Sequence, residues 1–238
     1  MPPLFEGLDY RSTAMGELIL RRRQMMALGG QVVYEVKLGD AYLMSSLFHV
    51  SEEALADIAL KELGGTGWDV AVGGLGLGYT AAAALNYEQV ERLVVVEALD
   101  PVIDWHKRAL VPNGEVLNQD KRCVYYHADF FDLARDAGFD PDTSGHRFDA
   151  ILLDIDHTPD YLLNQRHSDF YTAAGMERLK SFLKPGGVFA VWSNDPPEYG
   201  FLEMLSGVFE RAEGHVVNFE NPLQGSVTAN GIYLACSD

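Results

Sequence analysis

A cluster of glycines follows an apolar run in the stretch WDVAVGGLGLGYTAAAAL, which occupies positions 68–85. The apolar run predicts a strand and the alanines predict a helix, so the glycines would form the turn between them. A turn without side chains lets a ligand approach the backbone, and the N-terminus of the next helix offers free N–H groups. We therefore interpret Gly74, Gly76 and Gly78 as candidate nucleotide-binding residues.

Acidic residues stand at the ends of the next three predicted strands. Glu97 ends the strand RLVVVE. An acid about 20 residues after a glycine turn can accept hydrogen bonds from both hydroxyls of a ribose. Asp129 ends the following strand and precedes Phe130, so this pair could receive the amine of adenine and cover its ring. Asp154 ends the strand after that. The pattern indicates a nucleoside site with an additional acid at its rim.

Two classes of nucleotide fit the glycine turn. The segment GLGYTA, at positions 76–81, matches the G-x-G-x-x-A fingerprint of dinucleotide-binding proteins. The same G-x-G also forms the core of S-adenosylmethionine-binding loops. The segment FDAILLDIDH favours the second class, because it delivers Asp154 and Asp156 to the ligand rim. Such acids suit a transferase, whereas a dinucleotide enzyme has no particular need for them.

Three polar residues of the same segment are candidates for catalysis. Asp154, Asp156 and His157 could accept a proton from an attacking group, and the pKa of an imidazole suits that work near neutral pH. An alternative for His157 is a loop residue that orders the two aspartates. These residues and His167 could also be interpreted as metal ligands, but their spacing supports this poorly. We therefore expect no metal.

The elements that must position these residues alternate between strands and helices from Trp68 onward. Strands are predicted at Asp69–Val72, Arg92–Val96, Cys123–Tyr126, Ala150–Asp154, Val188–Trp192, His215–Phe219 and Gly231–Ala235. Helices are predicted at Tyr79–Leu85, Pro101–Leu110, Phe131–Ala137, Phe170–Leu183 and Phe201–Phe209. This alternation indicates a parallel sheet with helices on both faces. No helix separates the last two strands, which should form an antiparallel pair at one edge.

The N-terminal residues follow a different pattern. Short strands are predicted at Gly16–Arg23, Gln31–Leu38 and Asp40–Ser46, with hairpin signals between them. A helix is predicted to begin at Ser51, because a serine cap and two acids open an apolar stretch of helical spacing. We therefore predict an N-terminal β-strand region at 1–48 and a nucleotide-binding catalytic domain at 49–238.

The order of these motifs resembles that of a known family. The segments are GGLGLG, VVVEALDP, HADFFDL, FDAILLDIDH and FYTAAGMERLKSFLKPGGVFAVWS. Together they resemble the spermidine synthases, or polyamine aminopropyltransferases, within the class I S-adenosylmethionine-dependent methyltransferase superfamily. The resemblance covers roughly residues 17–209. It implies a Rossmann-like α/β fold with a mostly parallel seven-stranded sheet, preceded by a small β-hairpin region. It also implies an enzyme that forms a homodimer.

The resemblance also implies roles for individual residues. The three glycines would line the cofactor, Glu97 would hold its ribose and Asp129 its adenine. Asp154 matches the aspartate that helps to deprotonate the attacking amine in the family. The acceptor side would include Ser193, Asn194 and Asp195, in a loop after the fifth parallel strand, and His49, in a segment that precedes the first large helix. An alternative for the loop residues is a cap for the helix predicted at Phe201.

The sequence departs from the family at the glycine turn. The family has a G-G-G-D-G-G loop, whose acid meets the ammonium group of decarboxylated S-adenosylmethionine, whereas Gly76 stands at that position here. The family's D-P-x-G-P stretch is also replaced, by DHTPD at 156–160. Loss of the loop acid removes a repulsion against the carboxylate of intact S-adenosylmethionine. Two charges ~4 Å apart at an effective dielectric near 20 interact by about 4 kcal/mol.

We therefore predict an S-adenosylmethionine-dependent transferase that moves a methyl group to a small amine-bearing or cationic acceptor. The first alternative is aminopropyl transfer from decarboxylated S-adenosylmethionine. The second alternative is a nucleotide-binding protein without turnover, although such a protein would have no use for an acid at the position of Asp154.

Composition narrows the partners. The chain has 238 residues with 35 acidic and 18 basic side chains, for a formal net charge of −17, which disfavours binding to nucleic acid. The acidity suits a cationic substrate, although it could equally reflect solubility or a salty habitat. No apolar run approaches the ~18 residues of a membrane span, and the N-terminus lacks the features of a signal peptide. With two cysteines in no pattern, we expect a cytoplasmic protein.

Overall fold

The computed structural model describes residues 4–238, in which the N-terminal strands form a four-stranded antiparallel sheet. These strands are β1 (Phe5–Thr13), β2 (Gly16–Met25), β3 (Gln31–Leu38) and β4 (Ala41–Ser45). They pair in chain order. Three of them match the predicted strands, and β1 was not predicted. In its sequence, FEGLDYRST, the alternation of apolar and polar residues is interrupted near Gly7, where a bulge shifts the pairing with β2.

The second sheet has seven strands and contains the parallel core. Its strands are β5 (Trp68–Gly73), β6 (Val90–Glu97), β7 (Cys123–His127), β8 (Phe148–Leu153), β9 (Leu183–Ser193), β10 (Arg211–Asn221) and β11 (Ser226–Cys236). The strand order is β10-β11-β9-β8-β5-β6-β7. The five strands from β9 to β7 are parallel, and β10 and β11 form an antiparallel pair at one edge. This confirms the predicted fold class.

Seven α-helices accompany the strands in the described part of the chain. They are α1 (Val50–Leu60), α2 (Tyr79–Leu85), α3 (Asp100–Lys107), α4 (Gly114–Gln119), α5 (Phe130–Arg135), α6 (Ala173–Lys180) and α7 (Tyr199–Val208). Short 3-10 turns lie at Met26–Leu28 and Gln165–His167. Within residues 4–238, none of these helices has the length and apolar character that crossing a membrane requires.

Two helices differ from the prediction for local reasons. The helix predicted at Pro101–Leu110 stops at Lys107, because Ala109 adopts a positive φ of 52°. The chain then forms α4, which was not predicted. The helix predicted at Phe170–Leu183 begins only at Ala173, where the hydroxyl of Thr172 accepts a hydrogen bond from the N–H of Gly175 at 3.1 Å. That hydroxyl caps the helix.

The sheet order places a crevice beside the glycine turn. Strand β5 lies in the middle, with β6 and β7 on one side and β8 and β9 on the other. Where chain direction diverges in this way, the carboxyl ends of the central strands leave room for a ligand. The N–H of Asp154 donates to the carbonyl of Gly73 at 2.8 Å, so the ends of β5 and β8 are held together there.

The N-terminal sheet packs on the remainder of the chain through an apolar core and polar contacts. Leu18 and Leu20 are fully buried and belong to the same apolar cluster as Leu55 of α1. The indole N–H of Trp105 donates to a carboxylate oxygen of Asp9 at 2.8 Å. The N-terminal strands therefore share a core with the remainder of the chain. The boundary between residues 48 and 49 stays a prediction.

Candidate active site

A cavity of about 450 Å³ lies at the carboxyl ends of the parallel strands. This volume falls in the usual range for small-molecule sites. The N-terminal sheet, the glycine turn and the β10–β11 pair contribute to its walls. Its carboxylates are Glu52, Glu97, Asp129, Asp154 and Asp156. Among the described residues that line the cavity, Arg166 is the one arginine or lysine. Its side chain is 67% exposed and lies 3.5 Å from Asp132. The cavity is thus strongly acidic.

The glycine turn has a conformation that only glycine adopts easily. Gly74, Gly76 and Gly78 all have positive φ, and all three line the cavity. A Cβ on Gly74 would lie 2.2 Å from the carbonyl oxygen of Asp154, and one on Gly78 would lie 2.7 Å from the ring of His106. The missing side chains therefore allow close packing of the turn. They also leave its backbone open to the cavity, as the sequence predicted.

Two side chains from behind the turn hold its backbone. The ring of His106 is completely buried, and its Nε2 donates to the carbonyl of Gly76 at 3.0 Å. Burial lowers the pKa of His106 to about 4, so the ring is neutral at physiological pH. The amide of Asn113 donates to the carbonyl of Leu77 at 3.0 Å. Neither residue was predicted, because both act on backbone carbonyls about 30 positions away.

Glu97 connects the turn to the end of β6. One carboxylate oxygen accepts the N–H of Leu75 at 3.0 Å, and the other accepts the N–H of Leu99 at 2.8 Å. Burial raises the pKa of Glu97, and backbone donors oppose that shift. Glu97 lines the cavity, and ribose binding by it stays a prediction.

Asp129 and Phe130 occupy the start of α5. One carboxylate oxygen of Asp129 accepts the N–H groups of Phe131 and Asp132, at 2.8 and 3.1 Å, so it caps the helix. The other oxygen remains for a ligand, and adenine binding by Asp129 stays a prediction. Phe130 is only 1% exposed, and its ring stacks on Phe139 with centroids 4.5 Å apart. Phe130 nevertheless lines the cavity, so the adenine contact predicted for it stays a prediction.

Asp154 lies where β8 ends, between the glycine turn and α1. Thr80 is 3% exposed, and its hydroxyl lies 3.0 Å from a carboxylate oxygen of Asp154 and 3.2 Å from the carbonyl of Glu52. Burial raises the pKa of Asp154, and the hydrogen bond from Thr80 opposes that shift. Asp154 is thus held by its neighbours and still faces the cavity. This placement supports the predicted role as a proton acceptor.

Glu52 was not predicted and lies beside Asp154. Burial, and then repulsion from Asp154, raise the pKa of Glu52. The helical spacing carried a signal for this position. Glu52 precedes the fully buried residues Leu55, Ala56 and Ala59 at i+3, i+4 and i+7, so it shares their face of α1. The acids at the start of this helix were interpreted only as part of its first turn.

A polar network supports the same side of the cavity. The hydroxyl of Ser51 accepts the indole N–H of Trp192 at 2.9 Å and lies 2.9 Å from both Asn230 Oδ1 and a carboxylate oxygen of Glu52. The amide of Asn230 donates to the carbonyl of Asn194 at 2.7 Å. Ser51 therefore links α1 to β9 and β11 and does not act as the helix cap that the sequence predicted.

Asp156 is held by hydrogen bonds on both of its carboxylate oxygens. It is 3% exposed and accepts hydrogen bonds from the N–H of Leu163, His167 Nδ1 and the hydroxyl of Tyr171, at 2.7, 2.9 and 3.0 Å. Its carboxylate is therefore occupied, which does not support the proton-accepting role predicted for it. His157 lines the cavity, and its ring stacks on Tyr161 at 5.0 Å. Catalysis by His157 stays a prediction.

Of the residues predicted to bind the acceptor, only some line the cavity. Asn194 lines the cavity, and its N–H donates to the carbonyl of His157 at 2.6 Å. Ser193 is 1% exposed, and Asp195 is an exposed loop residue; neither lines the cavity. His49 is also outside the lining, because its ring stacks on Tyr79 with centroids 4.3 Å apart. Tyr79 takes the cavity-facing position instead.

The predicted metal ligands do not form one group. Asp154 lies against Thr80, whereas Asp156 and His167 bind each other. Within residues 4–238, no three His, Cys, Asp or Glu side chains are arranged to hold a metal ion.

The fold and the site define a class. A mostly parallel sheet, a glycine turn after its first strand and an acid at the end of the second are the features of a Rossmann-like fold of the class I S-adenosylmethionine-dependent methyltransferase type. No family model matches the chain. Similarity to particular proteins therefore comes from individual relatives and solved structures.

The curated relatives are polyamine aminopropyltransferases. The chain is 26% identical to the enzyme of Saccharolobus islandicus over 162 residues, which cover 66% of this chain and 50% of the relative. It is 28% identical to polyamine aminopropyltransferase 2 of Pseudomonas aeruginosa over 162 residues, which cover 62% of this chain and 41% of the relative. The chain thus spans about half the length of the curated relatives it matches.

The similar solved structures are spermidine synthases. The enzyme from Thermotoga maritima aligns with a TM-score of 0.72 and 16% identity, over 98% of this chain and 73% of that one. A spermidine synthase in complex with the transition-state analogue AdoDATO aligns with a TM-score of 0.74 and 16% identity, over 98% and 74%. These structures show the shared fold. With the curated relatives, they confirm the resemblance and support the aminopropyl alternative better than methyl transfer.

Proposed function

We propose that the protein is an aminopropyltransferase that moves the aminopropyl group of decarboxylated S-adenosylmethionine to a small amine. The observation that supports this most strongly is the charge of the cavity. Five carboxylates line it, and the one arginine among its described lining residues, Arg166, is exposed and lies beside Asp132. A ligand that carries an ammonium group and no carboxylate suits this acidic cavity. Intact S-adenosylmethionine would instead add a sixth carboxylate to it.

This proposal replaces our sequence-based preference for intact S-adenosylmethionine. That preference rested on Gly76, which removes an acid from the glycine turn. The cavity nevertheless contains Glu52 and Asp154 in contact with the same Thr80, so acids from α1 and from the end of β8 remain. One charge pair ~4 Å apart at an effective dielectric near 20 is worth about 4 kcal/mol, which exceeds what is needed to reverse the choice of cofactor.

The residues of the cavity suit the two ends of such a donor. Glu97 would accept the ribose hydroxyls, and the free oxygen of Asp129 would accept the amine of adenine. The glycine turn would lie against the nucleoside, because no side chain covers its backbone. This leaves Asp154 and Glu52 for the sulfonium end and the acceptor.

The proposed reaction is an in-line displacement. The nitrogen of the acceptor amine attacks the aminopropyl carbon bound to sulfur, and a C–N bond forms as the C–S bond breaks. The electrons of the C–S bond neutralise the sulfonium, and 5′-methylthioadenosine leaves. The extra proton on the nitrogen passes to Asp154 and then to water. Burial raises the pKa of Asp154, which suits a carboxylate for this step. Correct positioning of the nucleophile supplies the remaining acceleration.

Calorimetry with the wild-type protein tests the proposal. We expect decarboxylated S-adenosylmethionine to bind at least about tenfold more tightly than intact S-adenosylmethionine, or about 1.4 kcal/mol. Mass spectrometry after incubation with diamines should then detect an aminopropylated product and 5′-methylthioadenosine. Tighter binding of intact S-adenosylmethionine, together with a methylated product, would overturn the proposal. The homodimer, which light scattering would check, and the cytoplasmic location stay predictions.

A further inference from the structure

Glu52 has an unusual position for a glutamate. It enters the cavity from the first turn of α1, on the face that buries Leu55 and Ala59. Among residues 4–238, no lysine, arginine or histidine pairs with its carboxylate. The contact of that carboxylate is with the hydroxyl of Ser51, at 2.9 Å. A carboxylate in such surroundings is costly to ionise unless a cation joins it.

The neighbours of Glu52 hold it in place rather than neutralise it. Trp192 and Asn230 fix the hydroxyl of Ser51, and this hydroxyl lies against the carboxylate of Glu52. Thr80 contacts the backbone of Glu52 and the side chain of Asp154 at once. Thr80 thus holds the start of α1 against the end of β8, and the two carboxylates are near enough to repel each other. Within residues 4–238, no lysine or arginine pairs with either carboxylate.

Other features of the cavity indicate that a substrate binds beside Glu52 and Asp154. The glycine turn and Glu97 suit the nucleoside, and they lie at the ends of β5 and β6. Glu52 and Asp154 lie at the end of β8 and on α1, so they face the part of the cavity that remains for an alkyl chain and its terminal group. Apolar side chains of the N-terminal sheet, Leu38, Leu43 and Met44, also line the cavity.

We propose that Glu52 and Asp154 together bind a primary ammonium group of a substrate, and that Glu52 takes over the selectivity of the acid that the glycine turn lacks. The inference rests on the proposed function and deepens it. The ammonium group has two possible sources, which share one chemistry. It is either the end of the aminopropyl chain of the donor or an amine of the acceptor.

The variant Glu52→Gln tests the role of the charge, because it keeps the size of the side chain. We expect it to weaken one ammonium-bearing ligand by about tenfold or more, as truncation of a buried charge pair does. Its affinity for 5′-methylthioadenosine, which has no ammonium group, should stay within about twofold. The variant Glu52→Asp keeps the charge and should recover part of the lost affinity. Glu53→Gln is the matched control, because Glu53 is 47% exposed and pairs with His49.

Two arms distinguish the sources of the ammonium group. Calorimetry with decarboxylated S-adenosylmethionine measures the donor arm, and calorimetry with 1,4-diaminobutane in the presence of 5′-methylthioadenosine measures the acceptor arm. A loss of affinity in either arm supports the proposal and shows whether the donor or the acceptor carries the ammonium group. If Glu52→Gln changes neither arm, or weakens 5′-methylthioadenosine equally, the proposal is overturned. A wild-type protein that does not prefer decarboxylated S-adenosylmethionine would refute the proposed function, whereas the acceptor arm would still decide the role of Glu52.

Discussion

Gly74 and Asp154 are in such close contact that a Cβ on Gly74 would lie 2.2 Å from the carbonyl oxygen of Asp154. Gly74 also has a φ of +93°, which side chains rarely permit. The glycine turn and the proposed proton acceptor are therefore positioned by the same backbone contact. A change at Gly74 should affect both stability and turnover, although glycine itself does no chemistry.

The substitution Gly74→Ala should lower the free energy of unfolding by about 2 kcal/mol or more, because it combines a clash with a strained φ. Turnover should fall further than the loss of folded protein explains, since Asp154 must move. Urea unfolding and initial rates measure the two effects. Gly207→Ala in α7 is the control, because a Cβ there would meet no atom within 4 Å. Equal behaviour of the two variants would contradict this explanation.

The substitution Asp154→Asn should separate catalysis from binding. It keeps the shape of the side chain and removes the proton acceptor, so kcat should fall by about 100-fold or more. The affinity for 5′-methylthioadenosine should change little, because Glu97 and Asp129 are intact. Steady-state rates and calorimetry give the two values. If Asp154→Asn retains turnover, proton transfer belongs to another group, and His157 becomes the next residue to test.

The substitution Glu97→Gln should weaken binding of the nucleoside directly, in contrast to Asp154→Asn. An amide in place of the carboxylate can accept through only one oxygen, so either Leu75 or Leu99 loses its acceptor as well as the ribose. We expect the affinity for 5′-methylthioadenosine to fall by about tenfold or more. Asp100→Asn, at the exposed start of α3, is the control. Unchanged nucleoside affinity in Glu97→Gln would place the ribose elsewhere.

The sheet and the positions of the glycine turn and Glu97 within it were predictable because their signals are local. Apolar runs marked the strands, and Gly74, Gly76, Gly78 and Glu97 follow directly from strand ends. The order of strands and helices then placed these residues at one edge of the sheet. Strand β1 escaped prediction because a bulge near Gly7 interrupts its alternation of apolar and polar residues.

The remainder of the site depends on contacts between distant parts of the chain. Asp154 and Asp156 look equivalent in the sequence, but only the second is occupied by His167 and Tyr171 from a later loop. Phe130 lines the cavity and also stacks on Phe139 in the core, a contact that the sequence did not show. Glu52 could have been found, because its helical spacing relative to the buried residues of α1 was visible.

His106 should make stability depend on pH in a way that can be measured. Its ring is completely buried, and burial lowers its pKa to about 4 from the usual 6.5. The neutral ring donates from Nε2 to the carbonyl of Gly76. In the unfolded chain the same ring takes up a proton near its usual pKa. Between about pH 6.5 and pH 4 the unfolded state therefore binds more protons, and stability falls as pH falls. The shift corresponds to about 3 kcal/mol.

Comparison of the wild type with His106→Gln isolates this contribution, because the carboxyl groups titrate in both proteins. The amide of glutamine can donate to the carbonyl of Gly76 and does not titrate. We expect the free energy of unfolding of the wild type to decrease relative to that of His106→Gln as pH is lowered through this range. Urea unfolding at several pH values measures the difference. The variant His127→Gln, at an exposed histidine, should show a much smaller change with pH in its difference from the wild type. A constant difference between wild type and His106→Gln would mean that His106 is protonated in the folded protein as readily as in the unfolded chain, and that burial does not keep the ring behind the glycine turn neutral.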